Sequence, residues 1–183
     1  MTRLDRFRDA QADPHAGFTA ALRELEAGRK TGHWIWYVFP QLGGLGQSMT
    51  AVHYGLADPA EAADYLREPV LGERLVAAAA AARRHLTGSP RVGVVTLMGS
   101  AVDALKLVSC MTLFAHVAAA LDAENPNPRF AAMADHGRAI LAAAAASGYD
   151  RCVFTDASLN ARAPDSGRRP GRGGPARRTR SGR

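Results

Sequence analysis

Cysteine is scarce in this chain. Cys110 and Cys152 are the only two, and they form no C-x-x-C pair. That argues against a disulfide scaffold and against a structural zinc site. His53, His85 and His136 stand in no ligand spacing to another His, Cys or carboxylate cluster. There is no H-E-x-x-H, no G-x-S-x-G and no EF-hand loop. No metal and no cofactor is therefore expected. Lysine is almost missing too: Lys30 and Lys106 are the only two in an arginine-rich chain. No apolar run approaches the roughly 18–20 residues of a membrane span. The opening Met1-Thr2-Arg3-Leu4-Asp5-Arg6 leads into polar sequence without the apolar stretch of a secretory signal. The default expectation is a cytoplasmic protein without membrane contact.

The 183 residues, 47% of them hydrophobic, suffice for one domain and exclude a wholly disordered chain. The net charge of +6 hides an uneven split. Residues 1–160 hold 15 basic and 16 acidic side chains, and residues 161–183 hold eight Arg and one Asp. The balances of −1 and +7 sum to +6, so the pI near 10.0 belongs to the C-terminal stretch. The expected division is a helical globular domain over 1–150 and an Arg/Gly/Pro-rich tail over 151–183. From about residue 161 that tail lacks large apolar residues and is expected to be largely disordered. It reads either as an arm that neutralises phosphates of a nucleic acid or as a solvated extension. The absence of aromatic residues for base stacking weakens the first reading.

Hydrophobic spacing and capping residues point to an all-α or mainly α fold. Asp13-Pro14 offers an N-cap with Pro at the first helical position, and that helix closes near Gly28. Asp58-Pro59-Ala60-Glu61 has capping-box spacing. A further helix runs from near Pro69 to Leu86, with Gly88 as its stop, and another from Asn127-Pro128 to Ser147-Gly148. The longest spans roughly 101–121. In it Leu107, Met111, Phe114, Ala118 and Leu121 recur at steps of four and three. Val102, Leu105, Val108 and Leu113 make its other faces apolar, which predicts a central place in the core. Residues 92–97 read either as a short strand or irregular segment or as a helical turn.

Two segments carry the residue types of a site. Residues 31–49 hold both tryptophans with a Tyr, a Phe and a His, followed by glycines. This is either a core plug with a tight turn or an aromatic-walled pocket rimmed by His33, Gln41 and Ser48. Gly44-Leu45-Gly46 is not a dinucleotide fingerprint, because Met49 stands where a third Gly is needed. The second segment is the polar side of the long helix, where Lys106, Ser109, Thr112 and His116 share a face. A Lys in an apolar helix can bind an anion. Equally, it can snorkel to solvent while the hydroxyls bond back to the preceding turn. Cys110 reads as a small buried hydrophobe.

These strings resemble a known family. Gly28-Arg29-Lys30, His33-Trp34, Trp36, Phe39-Pro40-Gln41-Leu42, Gly44-Leu45-Gly46 and Ser48 are similar to the most distinctive motif of a bacterial family of unknown function, numbered 1810. Asp103, Lys106-Leu107, Ser109 and Met111-Thr112-Leu113-Phe114 resemble its second signature. The likeness covers roughly residues 3–130 and implies a compact, mainly helical single domain with no established activity. Met98, Ala104 and Cys110 depart from the pattern, where an aromatic, an acid and a serine are usual. The missing acid at 104 argues against a paired acid–base role for Lys106.

The function expected from these residues is small-ligand binding, with a nucleotide-like or other anionic molecule as ligand. Trp34 and Trp36 would wall the pocket, His33 and Gln41 would give hydrogen bonds, and Lys106 would supply charge. Ser48, Ser109 and Thr112 would support them, with His33 the first candidate for acid–base work. One alternative is an interaction module that docks a partner, or a second copy in a homo-oligomer, through Trp34, Trp36 and Phe39. The other is nucleic-acid association through the tail at 161–183.

Overall fold

Five helix starts carry a side-chain cap in the computed structural model, which describes residues 3–161. The Arg-rich stretch and the nucleic-acid reading attached to it lie outside the described residues. Ten helices are present among these residues: α1 (Asp5–Ala12), α2 (Phe18–Glu26), α3 (Ile35–Val38), α4 (Met49–His53), α5 (Pro59–Arg67), α6 (Pro69–Thr87), α7 (Val94–Met98), α8 (Ala101–Glu124), α9 (Pro128–Ala145) and α10 (Val153–Asn160). The Asp58 carboxylate accepts from Glu61 N at 2.9 Å, and Glu61 reaches back to Ala57 N at 2.6 Å. Glu68 and Asn127 cap α6 and α9 in the same way, each with Pro next in the chain. The fold is mainly α, as the patterning predicts, with one isolated bridge between Leu42 and Leu56.

Helix α8 is the axis of the molecule. Leu107, Met111, Phe114, Ala118 and Leu121 are buried, and so are Val108, Cys110 and Leu113 on its other sides. A fully buried Leu, Met or Phe contributes about 1.5–3 kcal/mol, so this helix anchors the core. It lies along α9, which in turn packs on α6, while α5, α7 and α10 cover its remaining faces. Gly137 on α9 permits the close approach, since a Cβ there would stand 2.8 Å from that of Ala115. α8 is long and apolar enough, by length and composition, to cross a bilayer, contrary to the expectation that no stretch qualifies. Most of its apolar window is buried inside the protein.

Of the two readings of residues 92–97 the helical one holds: Val94–Met98 is a helical turn with Val94, Leu97 and Met98 buried. Asp13-Pro14 does not open α2. The Asp13 carboxylate instead closes a separate turn by accepting from His15 N and Ala16 N at 2.8 and 2.7 Å. Gly17, extended at ψ −162°, then breaks the chain direction, and α2 begins at Phe18. Finally, ordered structure continues past residue 150. α10 packs on α8, with Thr155 and Leu159 buried.

Candidate functional site

The site begins with a carboxylate that shapes a loop. Near the end of α2, Glu24 accepts from Thr31 N at 2.6 Å, Gly32 N at 2.8 Å and Trp34 Nε1 at 2.8 Å. Burial pushes this carboxyl up, but the three N–H donors outweigh it and hold it below the ordinary carboxylate range. The loop docks on the α7–α8 turn through Lys30 N to Leu97 O at 2.7 Å. Gly99 makes that docking possible. Its φ is +75°, and a Cβ there would lie 2.7 Å from Lys30 O.

This docking delivers Lys30 to the first turn of α8. Ser100 caps that turn by accepting from Asp103 N at 3.1 Å. Lys30 Nζ pairs with Asp103 Oδ2 at 2.6 Å and also donates to Gly32 O at 2.6 Å. Lys106, one turn further on, pairs with Asp103 Oδ1 at 2.8 Å. Its Nζ also stands 4.2 Å from the centre of the Trp36 ring, and Lys30 Nζ stands 5.2 Å from that of Trp34. Both are cation–π distances. Burial pushes the Asp103 carboxyl up, yet hydrogen bonds and charge from the two ammonium groups hold it below its usual value. Two ammonium groups therefore share one carboxylate in a partly buried cluster.

Beside this cluster runs a mainly apolar groove of about 500 Å³. Gln41, Leu45, Gly46 and Ala51 line one side. Val102, Leu105, Lys106, Val108 and Ser109 of α8 line another, and residues 150–153 close it. The volume falls within the range of small-molecule sites. Another cavity, of about 440 Å³, lies between α5, α8 and α10. There Arg67, His116 and Glu124 mix both charge signs, and no buried cation faces it.

Of the residues singled out in the sequence, the structure brings Gln41, Lys106 and Ser109 to one groove, with Trp36 behind Lys106. The others go elsewhere. Trp34 and Phe39 are buried, at 1% and 0% exposure, so a docking face made of Trp34, Trp36 and Phe39 does not exist. Trp34 is a core residue whose indole N–H is satisfied by Glu24. His33 is exposed and does not line the groove. Ser48 is the N-cap of α4 and accepts from Ala51 N at 3.1 Å. Thr112 donates to Val108 O at 2.8 Å and accepts from Cys152 N at 3.2 Å, which fastens α10 to α8. Ser109 shares that role through Thr155 Oγ1 at 3.1 Å.

Sequence reasoning missed Lys30, Glu24 and the partnership of Asp103. The expectation that Lys106 lacks a paired acid is corrected by Asp103, three residues earlier on the same face. The available signal was the rarity of lysine, since the only two lysines of the chain meet at one carboxylate.

The matching family model covers residues 1–134 and is described as a protein of unknown function, DUF1810. The chain belongs to the DUF1810 family. Lys30, Gln41, Asp103, Lys106 and Ser109 all lie within the part that matches DUF1810, whereas the groove wall at 150–153 lies beyond it. The chain is also similar to the crystal structure of the conserved hypothetical protein Rv1873 from Mycobacterium tuberculosis. The two are 35% identical with a TM-score of 0.63, over 84% of this chain and 94% of that one. No curated protein matches the chain.

Proposed function

We propose that this DUF1810 domain binds a small anionic molecule in the groove beside Lys106. One observation carries the reading: Lys106, partly buried and sharing the Asp103 carboxylate with Lys30, lines a groove of ligand size. A cation withdrawn from water attracts an anion more strongly than an exposed one, because the local dielectric is lower and screening weaker. Gln41 adds a polar group to the same wall. Asp150 also lines the groove, but it is solvent-exposed, so its opposing charge is screened. Arg151 is neutralised by Asp156 at 2.5 Å.

The test is a thermal-shift panel of carboxylates, phosphates and nucleotides on the full chain, followed by titration calorimetry of each hit. A ligand at a hundred times its Kd adds about 2.7 kcal/mol, roughly 5–10 °C for a protein of this size. Lys106→Met should abolish most of that shift while the near-ultraviolet circular dichroism stays unchanged. A shift that survives in Lys106→Met places the ligand elsewhere and overturns the assignment.

A further inference from the structure

The walls of the groove say more about the ligand than its charge does. Among the described residues, the exposed large hydrophobics include Met49, Val52, Val102, Leu105, Val153 and Phe154. Three of these, Val102, Leu105 and Val153, line the groove, and Met49 and Val52 flank Ala51 on α4. Single exposed hydrophobics are ordinary, but a cluster around one cavity marks a binding surface. The charged end of the groove is the single ammonium of Lys106, which shares the Asp103 carboxylate with Lys30. A phosphate monoester near neutral pH carries about −1.5 to −2, more than this cluster can balance. A carboxylate carries one negative charge and matches it. The chain's own C-terminal stretch is a poor occupant. From Arg162 onward it contains no Val, Leu, Ile, Met or aromatic residue to fill apolar walls.

Resting on the anion-site reading above, we infer that the ligand is a monocarboxylic acid with a hydrocarbon body. Its carboxylate meets Lys106, and its chain lies against Leu45, Val102, Leu105, Val108 and Val153.

Titration calorimetry of the full chain with hexanoate, octanoate and decanoate tests this, with octan-1-ol, inorganic phosphate and AMP as comparisons. Affinity should rise about fourfold per methylene, the effect of burying a CH2 group. Octan-1-ol should bind at least tenfold more weakly than octanoate. Leu105→Asp should weaken decanoate at least tenfold, and because Leu105 is 57% exposed, the variant should fold normally. Bound decanoate should also slow alkylation of Cys152, which lines the same groove. Phosphate or AMP binding that depends on Lys106, without alkanoate binding, overturns the acid class and leaves the anion site standing. Octanol binding as tightly as octanoate, unaffected by Lys106→Met, overturns both. So does the absence of any binding, including the case where the apolar walls instead mediate a dimer that Leu105→Asp dissolves in sedimentation experiments.

Discussion

Asp103 holds two lysines with one carboxylate, and the docking of the Lys30 backbone on the α7–α8 turn brings one of them within reach. Gly99 is what permits that docking. Any side chain there meets the Lys30 carbonyl and must also adopt a left-handed backbone. Gly99→Ala is expected to lose about 1–3 kcal/mol in urea unfolding, the usual magnitude for such strain. The two cysteines differ sharply. Full burial pushes the Cys110 thiol well up. At Cys152 burial also raises the pKa, but nearby hydroxyls of Thr155 and Ser109 and backbone N–H groups at the start of α10 outweigh it and lower it. Iodoacetamide near neutral pH should therefore label Cys152 and spare Cys110 in the folded protein, read by peptide mass spectrometry. Equal labelling of both would contradict this ordering.

At the scale of elements, α10 explains why the polar stripe of α8 is not an open site. Ser109 and Thr112 point into the α8–α10 seam, where Thr155 and Cys152 N satisfy them. Thr155 is fully buried, so Thr155→Val leaves the Ser109 hydroxyl without its partner. The expected cost is about 1–3 kcal/mol, the penalty of an unsatisfied buried hydroxyl, measured by chemical denaturation. Hydrogen exchange should show faster opening of α10 in that variant, with α8 and α9 unchanged. Helices α6, α8 and α9 were legible in the sequence because each is long and opens on a capping residue, and the nine-residue α5 because of its Asp58-Pro59-Ala60-Glu61 capping box. α1, α3 and α4 have eight residues or fewer and too little periodicity to register.

For the whole molecule, acid should be the first destabilising condition. The carboxyls of Glu24 and Asp103 are both held below their ordinary values in the folded chain. A depressed folded pKa stabilises the native state at pH above the unfolded value. That stability is lost as pH falls below about 4 and through the folded value. The melting temperature should thus be flat near neutrality and fall between about pH 5 and 3. Glu24→Gln should make that fall shallower and start from a lower melting temperature at pH 7. An unchanged acid limb in Glu24→Gln would show that the loop carboxylate does not carry the effect.

The sequence by itself determined the helical class and the centrality of α8, and it singled out two of the three segments that line the groove. Local rules suffice for these, because capping spacing, apolar periodicity and residue rarity all act within a few turns of chain. It left open whether Trp34 is wall or core, and only the tertiary structure decided that, through Glu24, ten residues away on α2. Likewise the pairing of Lys30 with Asp103 crosses 73 residues and depends on the φ of Gly99. The groove itself exists only where the 41–51 loop, α8 and the 150–153 segment converge. Such convergence is set by packing of distant elements around one core, and no spacing along the chain encodes it.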